Sequence, residues 1–209
     1  MSSRRSPRHK TRRALVWVGL AAAGVGAAWG EPTPLSRSRG KATLEQTVSR
    51  QLEARLEQRR RVWSREEFSR AVDAIGACCR LYGYRSELIL GLIDVESGFK
   101  INARSHDGSV GLVQIKPSTA RAVCRVRGWT VPPEGSLVDP GINITLGTTY
   151  LHYLERTLGS WRMALAGYNM GEVAARRKME AGLAPRQCYF DEIHRRGALI
   201  AEGIPAGHP

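Results

Sequence analysis

No C-x-x-C pair occurs in the 209 residues, and histidine appears only five times. Tetrahedral zinc sites need thiolates or imidazoles at short spacing, so that reading is excluded; no metal and no cofactor is expected. Aromatic residues make up 7% and form no RNA-binding motif. The net charge of +13 is therefore not read as a nucleic-acid footprint. No apolar run reaches the roughly 20 residues that span a bilayer. The longest uncharged stretch, Ala14 to Gly30, is 17 residues. Internal repeats are also missing, which removes solenoids and propellers. What remains is one globular domain with extensions.

The first extension is basic and then apolar. Arg4, Arg5, Arg8, Lys10, Arg12 and Arg13 precede the uncharged stretch, which ends in Ala28-Trp29-Gly30. A basic start, an apolar middle and a small-residue exit read as a secretory signal over 1–30, either cleaved or kept as an anchor. Thr11-Arg12-Arg13 is similar to a twin-arginine signal. No Cys closes the apolar run, so a lipoprotein is not expected. Residues 1–30 carry six basic and no acidic residues, so their removal takes +13 to +7.

Four cysteines, Cys78, Cys79, Cys124 and Cys188, allow three full pairings in an exported chain. Cys78 and Cys79 fall on a helix and point about 100° apart. Two outcomes stay open: one bridge from this pair to Cys124 or Cys188, or four reduced and buried thiols.

Residues 31–63 read as a Pro-, Ser- and Arg-containing linker followed by an amphipathic helix with Leu44, Val48, Leu52 and Leu56 four apart. That stripe either folds back on its own domain or docks on a protein partner or membrane surface. From Ser64 to about 200 the pattern is mainly α. Ser64 and Glu67 form a capping-box signature for a helix to about Leu81. Gly83 breaks it, and Ser86 is expected to cap the next helix. A D-G turn at Asp107-Gly108 precedes alternating Val110 to Ile115, which predicts a small β-hairpin beside a cleft. A helix from Pro117 to about Arg127, a loop to Val138, and a helix opened by Asp139-Pro140 follow. Ser160 caps a helix ending near Tyr168 and Asn169. Two more helices, 172–180 and about 187–200, precede a frayed tail, 201–209. In the last of them Tyr189, Phe190 and Ile193 are expected against the core.

The most informative stretch is Leu88 to Ala120. Leu88, Ile89, Leu92, Ile93 and Val95 make a helix that is apolar nearly all round and therefore buried. Glu96 rides near its end, and an unpaired buried charge is costly. Glu96 either turns to solvent or an Arg, or is a general acid raised from roughly 4.3 towards roughly 6. An acid of that kind suits glycosidic bond cleavage, in which the leaving oxygen must be protonated.

The runs E-S-G-F from Glu96, N-A-R-S from Asn102 and G-S-V-G-L-V-Q-I-K-P-S-T-A from Gly108 resemble the soluble lytic transglycosylase (SLT) domain, a relative of goose-type lysozyme. N-I-T-L-G-T-T-Y-L from Asn143 and A-L-A-G-Y-N-M-G from Ala164 extend the resemblance to about Ser64–Ala198. It implies an α+β lysozyme-like fold and cleavage of the MurNAc–GlcNAc β-1,4 bond of peptidoglycan. It also implies catalytic roles for Glu96 and Tyr168, the tyrosine hydroxyl orienting the acid. Ser97, Ser105, Gln114 and Asn169 match substrate-binding positions, and Gly111 fits a close backbone approach to a ligand. Val113 stands where the family usually has Met, and Gly167 and Met170 replace alanines around the Y-N pair. These departures remove no polar group.

Most glycosidases use two carboxylates, and here only Glu96 is assigned with conviction. Asp107 is either a turn-former or a second carboxylate; Asp94 points to another helix face. With no base for water, the resemblance implies that Glu96 acts as acid and then base, closing a 1,6-anhydro ring. A muramidase using Asp107 and a non-catalytic wall-binding scaffold are the alternatives. The expected setting is an exported, periplasmic or cell-envelope monomer, membrane-tethered if the N-terminal segment is kept, whose positive charge serves either attraction to an anionic wall polymer or solubility alone.

Overall fold

A computed structural model describes residues 34–183 and 187–204. The expected signal segment and the tail from 205 onward lie outside the described residues. Among them are α1 (Pro34–Gln58), α2 (Arg65–Tyr82), α3 (Ser86–Ser97), α4 (Pro117–Arg127), α5 (Pro140–Leu158), α6 (Trp161–Met170), α7 (Glu172–Glu180) and α8 (Gln187–Ala201). A 3-10 turn, Glu134–Val138, falls inside what reads as loop before α5.

Local chemistry sets several helix ends where the sequence puts them. The Ser64 hydroxyl accepts from the Glu67 N–H at 3.1 Å, and the Glu67 carboxylate accepts from the Ser64 N–H at 2.7 Å. Each satisfies a donor that the first turn of α2 cannot. Asp139 accepts from the Ile142 N–H at 3.0 Å, with Pro140 at the first position of α5. Ser160 accepts from the Met163 N–H at 3.2 Å and opens α6. Ser86 differs from expectation. It is the first residue of α3 rather than its cap, and its buried hydroxyl donates to Gln51 Oε1 at 2.8 Å. A partner from α1 wins over the cap.

Helix α1 starts at Pro34, so the expected linker is helical from that residue on. Val48, Leu52 and Leu56 are buried in the core against α2, α3 and α8. Val48, Leu52 and Leu56 of the stripe are thus covered by their own domain, with Leu44 partly buried against it. No described helix is long and apolar enough to cross a membrane.

The expected β-hairpin is replaced by two isolated bridges, Arg104 to Val110 and Val110 to Ile115. Asn143 explains why. Fully buried on α5, it accepts from the Val113 N–H at 2.9 Å and donates to the Val110 and Leu137 carbonyls at 2.9 and 2.7 Å. One side-chain amide satisfies backbone groups that a strand partner would otherwise take. Gly111 turns the chain at φ 82° over this amide, and a Cβ there would lie 2.2 Å from Asn143 Nδ2. The space beside Gly111 therefore belongs to Asn143 and not to a ligand.

Two apolar clusters flank the middle of the molecule. The larger joins α1, α2, α3, α5, α6 and α8; the smaller gathers Val110, Ile115, Val123, Leu137 and Leu146 under α4. α3 and α8 approach backbone to backbone. A Cβ on Gly91 would sit 2.7 Å from the Ile193 carbonyl oxygen, and one on Gly197 3.0 Å from that of Glu87. This contact sets where the start of α8 lies relative to the end of α3.

All four cysteines are free. Cys78, Cys79 and Cys124 are buried and Cys188 is exposed, so neither sequence expectation is met in full. Burial pushes the Cys78 thiol up to about 12 and the Cys79 thiol to about 11, which makes both poor nucleophiles.

Candidate active site

Glu96 is half-buried in the last turn of α3 and lines a cavity of about 540 Å³. Its carboxyl is pushed up to about 7, chiefly by desolvation, with a smaller push from the negative charge of Asp107. A hydrogen bond from the Tyr189 hydroxyl to Oε1 works in the opposite direction. Glu96 is thus poised to hold or release a proton near neutrality.

The cavity brings Glu96 together with four other residues of the expected set: Ser105, Gln114, Tyr168 and Asn169. Gln114 sits at φ 49°, and its amide nitrogen donates to the Gly111 and Ala103 carbonyls at 2.8 and 3.2 Å. Both amide hydrogens are spent, which leaves Oε1 to accept from a ligand. Asn169 is exposed at the cavity edge. Ser97 is not among the lining residues; its hydroxyl donates back to the Ile93 carbonyl at 3.1 Å.

The tyrosine on the acid is not the expected one. Tyr168 lies near Glu96, whose charge helps hold its phenol well above the usual range after desolvation. Its hydroxyl, however, donates to the Val113 carbonyl at 2.8 Å. Tyr189 of α8 touches Glu96 instead, and its phenol is raised by burial first and by Glu96 second. Tyr168 fits closely: a Cβ on Gly147 would meet its oxygen at 2.8 Å and Val113 Cγ2 at 2.2 Å.

Asp107 also lines the cavity, but its lone pairs are engaged. Lys116 Nζ lies 2.9 Å away, and the Ser105 hydroxyl, the Ser109 hydroxyl (3.0 Å) and the Ser109 N–H (3.3 Å) all donate to it. Lys116 first, and then these donors, hold its carboxyl well below the usual carboxylate range. A carboxylate so engaged is a weak base. Asp94 faces away from the cavity, fully buried between Arg59 and Arg196. Among the described residues no group of His, Cys, Asp and Glu could hold a metal ion.

A family model for the transglycosylase SLT domain matches residues 74–184, more than half of the chain. The chain belongs to that family. Among curated relatives, the endo-type membrane-bound lytic murein transglycosylase A of Cronobacter sakazakii is 45% identical over 76 residues, covering 35% of this chain and 37% of the relative. Its counterpart from Citrobacter koseri is 43% identical over 94 residues, 44% of this chain and 43% of the relative. The SLT chain thus spans about two-fifths of the length of these relatives. An inactive mutant of lytic transglycosylase Slt from Pseudomonas aeruginosa superposes with TM-score 0.55 at 22% identity, over 66% of this chain and 25% of that one. The 70 kDa soluble lytic transglycosylase of Escherichia coli gives 0.50 at 24%, over 63% and 22%. Both show the lysozyme-like fold.

Three site features of this SLT domain escape a reading of its sequence. Tyr189 reads as a core aromatic in a C-terminal helix, and only the α3–α8 contact reveals its partner. Lys116 and Ser109 are only letters of a motif run in the sequence, and their role shows once Asp107 is seen between them. Asn143 carried a usable signal: an amide on an otherwise apolar stretch of α5 must find partners if buried.

Proposed function

We propose that this SLT domain is a peptidoglycan lytic transglycosylase, cleaving the MurNAc–GlcNAc β-1,4 bond and leaving 1,6-anhydro-MurNAc ends. The observation that carries the reading is that, of the two carboxyl groups lining the cavity, Glu96 is positioned to exchange a proton with a ligand while the oxygens of Asp107 are taken up by Lys116, Ser105 and Ser109. A hydrolase of the two-carboxylate kind needs a second group able to take a proton from water or attack the sugar. Asp107 is poorly suited to either task.

Protonated Glu96 donates to the glycosidic oxygen as the C1–O bond breaks, while the N-acetyl group of the same sugar stabilises C1. The resulting carboxylate then takes the proton of that sugar's C6 hydroxyl, whose oxygen closes on C1. One group acts in both directions, so a pKa near neutrality serves both half-reactions. In this reading the Tyr189 hydroxyl steadies the carboxylate form, Gln114 Oε1 accepts from a sugar hydroxyl or amide, and Ser105 and Asn169 meet the glycan at the rim. Tyr168 packs behind the acid and shapes the floor through Val113.

The names of the curated relatives, membrane-bound and murein-directed, support an envelope setting. The basic and apolar residues 1–30 suit export to the periplasm with cleavage or anchoring there. The chain would act there as a monomer on glycan strands. Mass spectrometry of products from defined muropeptide chains tests the chemistry: anhydro ends are about 18 Da lighter than hydrolytic ones. Hydrolytic ends alone would give the muramidase reading, and no cleavage at all a binding scaffold.

A further inference from the structure

The family match begins at residue 74, yet the turn that follows Glu96 is held from outside it. Arg59, Arg61 and Trp63 alternate along the short connection between α1 and α2. The Arg59 guanidinium meets Asp94 Oδ1 at 2.6–2.7 Å. Arg61 Nε donates to the Gly98 carbonyl at 3.0 Å, and Trp63 Nε1 to the Phe99 carbonyl at 3.2 Å. Val62 between them points outward and is 97% exposed, so the alternation aims its neighbours inward.

The three acceptors bracket Glu96 in the chain. Asp94 precedes it by two residues; Gly98 and Phe99 are the two that reverse the backbone after it. Both are left-handed, at φ 54° and 62°, and Phe99 is fully buried. Glycine adopts that conformation freely, whereas a side chain disfavours it. Carbonyls leaving a helix end lack intrahelical partners and must find donors. Arg61 and Trp63 supply them at the position where the chain is least at ease.

We infer that Arg61 and Trp63, with Arg59 behind them, are positioning residues that fix the Gly98–Phe99 reversal and thereby aim the Glu96 carboxyl into the cavity. The inference rests on the lytic reading for its kinetic consequence alone. Loosening the reversal lets the end of α3 fray and water reach Glu96. Its proton affinity then falls towards the ordinary carboxylate value, and the near-attack geometry is lost. Misplacement by about 1 Å can cost about 10²-fold in rate, so about tenfold is expected for one lost donor.

The test uses the full chain with Trp63→Phe, which keeps a ring, and Arg61→Met, which keeps an apolar stem, alongside Arg61→Lys. Carbon-13 NMR of the glutamate carboxyls follows Glu96 with no substrate present, and turnover on purified sacculi gives kcat and KM. The expected result is a Glu96 midpoint lower by at least about half a pH unit, kcat down about tenfold and KM within about twofold, with Arg61→Lys recovering part of both. An unchanged midpoint in both Trp63→Phe and Arg61→Met, even with a lower melting temperature, overturns the inference and leaves a purely structural contact. If the unaltered chain makes hydrolytic ends or none, the lytic reading fails while the carboxyl titration still decides the clamp.

Discussion

The Tyr189 hydroxyl donates to a carboxylate oxygen of Glu96 across 93 residues of chain. The bond joins the first turn of α8 to the last turn of α3. Hydrogen bonds to a charged group contribute about 1.5–3 kcal/mol. Tyr189→Phe should therefore lower turnover by about tenfold or more. It should also move the alkaline limb of the pH–rate profile upward, because this bond favours the ionised form of Glu96. Tyr168→Phe, which frees the Val113 carbonyl, should cost about 1 kcal/mol of stability and move that limb little. A larger pH shift from Tyr168→Phe than from Tyr189→Phe would reverse the two roles.

Glu96→Gln should reduce turnover on sacculi by roughly 10²–10⁴ or more while the protein stays folded. It should also stabilise the protein at alkaline pH. The ordinary carboxyl titrates at 4.5 and the folded one at about 7. Between those values the folded state binds more protons than the unfolded state, so stability falls as pH rises. Glutamine removes the dependence. Thermal melts should show Glu96→Gln ahead by about 1–3 kcal/mol at pH 8, with the difference gone below pH 4.

Asp107→Asn separates the two enzyme readings. For a lyase it should leave kcat within about tenfold and shift the alkaline limb slightly downward, since a negative charge that raises Glu96 is gone. A muramidase relying on Asp107 as base would lose roughly 10²–10⁴. The pH–rate profile and kcat of this one variant are enough to choose.

Gly91→Ala probes how α8 is docked. Its Cβ would meet the Ile193 carbonyl at 2.7 Å, and backbone must move to admit it. Overpacking of this kind costs about 1–3 kcal/mol. Because the shift carries Tyr189 away from Glu96, activity at 25 °C should fall further than the melting temperature alone accounts for. Normal kcat in a destabilised Gly91→Ala protein would show that α8 tolerates the displacement.

What could be read in the sequence was local or carried by an ordered set of motifs. The Ser64–Glu67 box, the Asp139-Pro140 start and the Ser160 cap each act within four residues, so spacing suffices to find them. Glu96 stood out because the helix around it is apolar. Tertiary competition decided the rest. Val110 to Ile115 alternates like a strand, but buried Asn143 takes the hydrogen bonds that a second strand would need. Ser97 looks available beside Glu96 and instead bonds within its own helix. Tyr189 could not be told from a packing aromatic, since its partner depends on two glycines that let α3 and α8 touch.

That docking has a bearing on the order in which the surroundings of Glu96 are assembled as the chain is made. A ribosome releases α3 well before α8, so a nascent or truncated chain carries the acid without its phenol and with one flank of its helix uncovered. The setting of Glu96 would then be complete only once α8 has seated on α3.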